Sequence, residues 1–238
     1  MSEKEKQTCI AIVLAGGKGT RVGGNLEKQY LELGKKPMLY YSLRTFQDSP
    51  LIDQIILVTG AGRQSYCTEK VLSLYPFSKI TQIVEGGKER SDSVWNALRQ
   101  ISGEGYVFIH DGARPFVTEE ILERAYKNVI YSKACVVGMP VKDTIKEVDE
   151  KGIVQKTPDR SKMWMVQTPQ VFEINLVKNA YTRLMQEKYV QVTDDAMVVE
   201  QMTKQPVELT EGSYENIKIT TPEDLELGEV FVRHLRFC

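Results

Sequence analysis

Residues 9–14 (C-I-A-I-V-L) run apolar without interruption and break directly into a glycine-rich turn. No polar position alternates with the apolar ones, so the run reads as a strand covered on both faces, as in a parallel sheet flanked by helices. Residues 55–59, 80–84, 106–109 and 134–138 repeat the pattern. Between them lie segments of helical spacing. Ile121, Leu122, Ala125, Tyr126, Val129 and Ile130 form one apolar face, with Thr118 as N-cap and Glu119 and Glu120 at the positive end of the helix. Thr221, Pro222, Glu223 and Asp224 give the last helix a cap, a proline at the first position and first-turn acids. This alternation predicts an α/β fold: a Rossmann-like, mostly parallel sheet with helices on both faces, forming one domain over residues 1–238.

One stretch departs from the alternation. Residues 144–148 and 153–156 are short β-patterned pieces joined by Asp149, Glu150, Lys151 and Gly152, which reads as a hairpin within an inserted arm at about 140–163. An isolated two-stranded arm is barely stable in water. The expectation is therefore that it packs on a second subunit, giving a homodimer.

Composition narrows the partners. The 31 basic and 32 acidic residues nearly cancel, and a net charge of −1 supplies no global field for nucleic acid or an anionic membrane. Any bound anion must be held by a local cluster. The four cysteines (Cys9, Cys67, Cys135, Cys238) contain no C-x-x-C pair and read as ordinary reduced thiols. Residues 1–8 are charged rather than apolar, and no segment has the roughly 20 apolar residues of a membrane span. The chain is expected to be soluble and cytoplasmic.

That local cluster lies in the first turn, Leu14-Ala15-Gly16-Gly17-Lys18-Gly19-Thr20-Arg21. Its glycines let backbone N–H groups approach phosphate oxygens. It is not a Walker loop, because no Lys-Ser or Lys-Thr follows at the required spacing. The dinucleotide pattern also fails, since Val22 stands at the third glycine position and the ribose-binding acid is missing. Lys18, Arg21 and Lys28, within eleven residues, supply the charge that a triphosphate needs. A second candidate follows the run 106–109. Asp111 stands where open α/β sheets bind ligands, and it suits Mg²⁺, which takes one or two carboxylates plus waters and phosphates. Arg114 is placed to hold a second phosphate. No nucleophilic triad is apparent. A phosphate monoester with a second pKa of about 6 is largely dianionic at neutral pH and attacks without a general base.

The pattern L-A-G-G-x-G-T-R followed by a lysine resembles nucleotidyltransferases that make sugar nucleotides. Along nearly its whole length the chain resembles one family, the 2-C-methyl-D-erythritol 4-phosphate cytidylyltransferases of the non-mevalonate isoprenoid pathway. The matching stretches are 28–30 (K-Q-Y), 86–93 (G-G-K-E-R-S-D-S), 110–115 (H-D-G-A-R-P), 140–145 (P-V-K-D-T-I), 159–161 (D-R-S) with Trp164, 167–170 (Q-T-P-Q), 193–196 (T-D-D-A) and 216–220 (N-I-K-I-T).

The resemblance implies roles position by position. CTP is the co-substrate, and Arg21 and Lys28 stabilise charge at the α-phosphorus. Ala15, Gly16, Gly17, Gly87, Lys88 and Ser93 hold cytosine and ribose, with Lys18 in the loop around the triphosphate. Asp111 holds the magnesium. Arg114, Thr168 and Lys218 receive the polyol phosphate, with Lys218 and Arg160 also counted among the catalytic group. Thr144 and Arg160, from the arm, complete the partner subunit's site. Acids Asp194 and Asp195 read as first-turn residues of a helix capped by Thr193. Ribitol-5-phosphate cytidylyltransferase is the nearest alternative, favoured by the second glycine of Gly16-Gly17. An NAD-dependent oxidoreductase or a non-catalytic nucleotide sensor would share the sheet and the turn.

Overall fold

In this computed structural model, residues 7–17, 27–187 and 190–233 are described. The strands are β1 (Cys9–Ala15), β2 (Glu32–Leu33), β3 (Lys36–Pro37), β4 (Gln54–Thr59), β5 (Ile80–Glu85), β6 (Tyr106–Asp111), β7 (Ala134–Pro140), β8 (Glu147–Val148), β9 (Val154–Lys156), β10 (Trp164–Glu173) and β11 (Glu208–Glu211). The helices are α1 (Met38–Asp48), α2 (Gln64–Cys67), α3 (Arg90–Leu98), α4 (Glu119–Ser132), α5 (Ile174–Leu184), α6 (Asp195–Thr203) and α7 (Pro222–Val232).

Seven strands form one sheet in the order β11-β7-β10-β6-β1-β4-β5. All its pairings are parallel except those of β10, which runs antiparallel between β6 and β7. Alternate residues of β1 serve opposite faces, as the period-2 geometry of a strand requires. Cys9, Ala11 and Val13 join Leu39, Leu43 and Phe46 of α1 and Ile121, Leu122, Ala125 and Val129 of α4. Ile10 and Ile12 join Val94, Ala97 and Leu98 of α3 and Val177, Ala180 and Tyr181 of α5. The doubly covered sheet expected from the apolar runs is therefore present.

The sequence did not indicate β10 as a strand. Its register shifts between Val166 and Gln170, and Pro169, which has no N–H to donate, sits within that irregularity. Helix ends follow local chemistry. Thr221 accepts from Asp224 N and the Asp224 carboxylate from Thr221 N, a capping box with Pro222 at the first position. At α6 the expected cap is displaced by one residue. Asp194, not Thr193, accepts from Met197 N at 2.9 Å, and Asp195 is fully buried rather than solvated.

β8 and β9 form the hairpin, turned by Gly152 at φ 78° with the Asp149 carboxylate accepting from Lys151 N and Ile153 N. Thr144 precedes β8 instead of lying in it. Ile145, Val148, Ile153 and Val154 are exposed on the arm. Among the described residues, no helix is long and apolar enough to cross a membrane.

Candidate active site

The carboxyl ends of four neighbouring parallel strands open onto one cavity of ≈ 660 Å³. Gly16 and Gly17 follow β1, Gly60 and Ala61 follow β4, Gly86 to Arg90 follow β5, and Asp111 is the last residue of β6. Lys28, Lys88, Ser93 and Lys218 complete the wall. This is the crevice where open α/β sheets bind ligands. Lys28 stands in a single turn, Lys28–Tyr30, tied to the sheet because Gln29 Nε2 donates to the Ala15 carbonyl at 2.6 Å. Its own Nζ donates to the Ile219 carbonyl at 2.9 Å.

The loop before α3 is held rigidly. Ser93 Oγ accepts from Gly87 N and donates to the Glu89 carbonyl, both at 3.0 Å, while Glu89 and Asp92 exchange a capping box. A Cβ on Gly87 would fall 2.2 Å from Asp92 Cβ. Gly87→Ala is therefore expected to lower stability by about 1–3 kcal/mol through overpacking, read as a lower urea midpoint; an unchanged midpoint would mean the loop yields freely.

Asp111 is the electrostatic centre. Arg90 Nε donates to one carboxylate oxygen at 3.1 Å and Lys218 Nζ to the other at 2.6 Å. Burial alone would raise its pKa, but the charges of Arg90 and Lys218 outweigh it and hold the carboxyl well below the usual range. Arg90 also forks onto Asp195 at 2.9 and 2.8 Å, a partner 105 residues away. Among the described residues there is no cluster of three or more His, Cys, Asp or Glu side chains suited to a metal. Of the carboxylates in the wall, Glu27 is paired with Arg63 and Glu89 caps α3, so Asp111 is the one that fits Mg²⁺, whose remaining ligands are waters and phosphate oxygens.

His110 is hydrogen-bonded at both ring nitrogens. It is fully buried, and burial pushes its pKa down to about 4 against the opposing pull of the Arg114 carbonyl. That carbonyl can only accept, so Nε2 carries the proton and Nδ1 accepts from Thr168 Oγ1, each at 3.0 Å.

The predicted residues separate into groups. Gly16, Gly17, Lys28, Gly87, Lys88, Ser93, Asp111 and Lys218 meet around the cavity. Lys18 and Arg21 lie outside the described residues. Ala15 is buried behind the wall, with its carbonyl engaged by Gln29. Thr168 is buried, and its hydroxyl is committed to His110 and to Asp111 N, so it supports β6 instead of facing a ligand. Arg114 donates to the Asn216 carbonyl at 2.8 Å, and its Nε is buried with no partner among the described residues. Thr144 and Arg160 are exposed on the arm and do not line this chain's cavity; Arg160 donates to the Lys142 carbonyl at 2.7 Å. Sequence reasoning assigned no role to Arg90 and read Asp195 only as a first-turn acid. The only signal for Arg90 was its place in the matched stretch 86–93.

Comparison with known proteins identifies relatives along nearly the whole chain. Residues 9–234 match the family model IspD, 2-C-methyl-D-erythritol 4-phosphate cytidylyltransferase. A protein of Lachnospira eligens with that name is 48% identical over 224 residues, covering 94% of this chain and 98% of its own length. Another so named, from Lachnoclostridium phytofermentans, is 45% identical and covers 94% of this chain and 95% of its own. The crystal structure of 4-diphosphocytidyl-2C-methyl-D-erythritol synthase from Anaerococcus prevotii aligns with a TM-score of 0.85 at 30% identity, over 96% of this chain and 97% of that one.

Proposed function

The chain belongs to the 2-C-methyl-D-erythritol 4-phosphate cytidylyltransferase family, and from that premise we infer that it is an enzyme joining 2-C-methyl-D-erythritol 4-phosphate to the CMP unit of CTP. Pyrophosphate is the second product, and the step belongs to isoprenoid precursor biosynthesis. The observation that carries this reading is one cavity where glycine backbone and four cations, Lys28, Lys88, Arg90 and Lys218, meet the ionised carboxylate of Asp111, with Glu27 and Glu89 also in the wall.

In the reaction, an oxygen of the acceptor's phosphate attacks the α-phosphorus of CTP. The bond from that phosphorus to the α–β bridging oxygen breaks, and pyrophosphate leaves with the electron pair. The dianionic acceptor needs no proton removed, consistent with a neutral His110 buried behind the strand. Catalysis then reduces to alignment of two polyanions and neutralisation of their charge. Lys28 supplies positive charge beside the turn after β1, and Lys218 supplies it beside Asp111. The backbone of Gly16, Gly17 and Gly87 lets the nucleotide approach closely. Mg²⁺ fits at Asp111, where it would offset charge on the triphosphate. Arg114 does not line the cavity, and the resemblance alone makes it the cation for the acceptor phosphate; its buried Nε has no partner among the described residues.

Pyrophosphate release with CTP, Mg²⁺ and each acceptor in turn tests the reading. Methylerythritol phosphate is expected to support turnover and ribitol 5-phosphate to support little, in keeping with the names of both relatives. CTP binding without pyrophosphate release would make the chain a nucleotide sensor instead.

The arm extends the proposal to a homodimer. Its exposed Ile145, Val148, Ile153 and Val154 need a cover, and Arg160 and Thr144 lie beside them, away from this chain's own cavity. They would complete the neighbour's site. Mixing inactive Arg160→Ala and Lys28→Ala proteins is then expected to restore up to about a quarter of wild-type turnover through hybrid dimers holding one intact site. No recovery after subunit exchange would refute a shared site. The reading keeps the cytoplasmic location expected from the sequence; among the described residues, Cys9, Cys67 and Cys135 form no disulfide.

A further inference from the structure

A guanidinium offers five N–H donors in a fixed plane, so the partners of Arg90 define its orientation. Both terminal nitrogens fork onto Asp195, at 2.9 and 2.8 Å, and only Nε is directed at Asp111. Asp195 is itself immobilised. The Tyr181 hydroxyl of α5 donates to its Oδ1 at 2.5 Å, and Gln170 of β10 accepts from Ala196 N while donating to the cap residue Asp194, both at 2.9 Å. An ion pair with one partner fully buried adds little net stability, because desolvation of Asp195 offsets the attraction. It does fix direction. Lys218, the other partner of Asp111, holds it by one hydrogen bond, whereas the Arg90 contact is anchored by α3, α5, α6 and β10 together.

We propose that Asp195, acting through Arg90, aims the Asp111 carboxylate into the cavity, which makes Asp195 and Arg90 positioning residues for the transfer reaction. The proposal rests on the function argued above. It predicts a dependence of turnover on a residue that touches no substrate.

A double-mutant cycle on the full-length protein tests it. Asp195→Asn keeps the shape but removes the charge, and it is expected to lower kcat about 10- to 100-fold, as loss of an orienting partner behind a ligand typically does. KM for CTP should stay within about threefold. In an Asp111→Asn background the same substitution should change kcat less than about threefold, because residues that act through one group are not additive. A metal-free crystal structure of Asp195→Asn should show the Asp111 carboxylate turned from its present direction, a readout independent of turnover. Wild-type pyrophosphate release separates the two levels: its absence refutes the function. With an active wild type, an unchanged kcat, an equal loss in both backgrounds or an unmoved Asp111 overturns the positioning role alone. If Asp195→Asn fails to fold, Tyr181→Phe removes only the hydroxyl on Asp195 and is read by the same criteria.

Discussion

Lys28→Ala is expected to lower kcat about 10²- to 10³-fold while the thermal midpoint moves by only a few degrees. The lysine lines the cavity at the end of β1, and its Nζ donates to the Ile219 carbonyl, the residue after Lys218. The ammonium is thus fixed against the Ile219 backbone before substrate arrives. A charge already in position needs no reorganisation when negative charge builds up on the α-phosphate, so its contribution falls on the transition state more than on the bound nucleotide. The kinetic signature follows. kcat and kcat/KM should fall together, with KM for CTP nearly constant. A variant with normal kcat and raised KM would reduce Lys28 to a general anion contact. A kcat within about threefold of wild type would remove it from the mechanism.

Much of this arrangement could be read from the chain because it is locally encoded. An apolar run ending in glycines marks a central parallel strand with a ligand turn, and the apolar runs at 55–59, 106–109 and 134–138 mark strands likewise. The run 80–84 is also a strand, but Thr81 and Gln82 are exposed because β5 lies at the sheet edge rather than buried on both faces. The capping box of α7 needs only Thr221, Pro222 and Asp224. What escaped was decided at long range or between equal local choices. β10 carries a proline and a register shift, so its polar Q-T-P-Q stretch resembles a loop until β6 and β7 close on it. Thr193 and Asp194 are both good caps, and only the bond to Met197 N selects Asp194. Asp195 looks like an ordinary first-turn acid. Its burial depends on Arg90 and Tyr181, which approach from other helices. Thr168 carries the expectation of an acceptor contact, but beside a register shift the alternation rule cannot say which way the side chain faces. Its hydroxyl points to His110 and Asp111 N.

Asp111→Asn should give the most diagnostic result, because it separates two quantities that a merely structural acid would move together. Both oxygens of Asp111 accept from cations, Arg90 at 3.1 Å and Lys218 at 2.6 Å. An asparagine has one acceptor oxygen, so its NH₂ must face one of those donors, and neither cation retains a counter-charge at this position. Stability should fall by about 1–3 kcal/mol, below the range for a fully interior pair because the site opens onto the cavity. Turnover with Mg²⁺ should fall at least about 10³-fold, since the one carboxylate suited to the ion is gone. Binding of metal-free CTP should move in the opposite direction. Removal of a negative charge beside Lys218 and Arg90 leaves the cavity more positive, so titration calorimetry in EDTA is expected to show tighter nucleotide binding, by about three- to tenfold. The opposed signs are the test. If metal-free affinity and turnover drop together, Asp111 is acting as a structural counter-ion to Arg90 and Lys218, and the assignment of the magnesium site to the end of β6 fails.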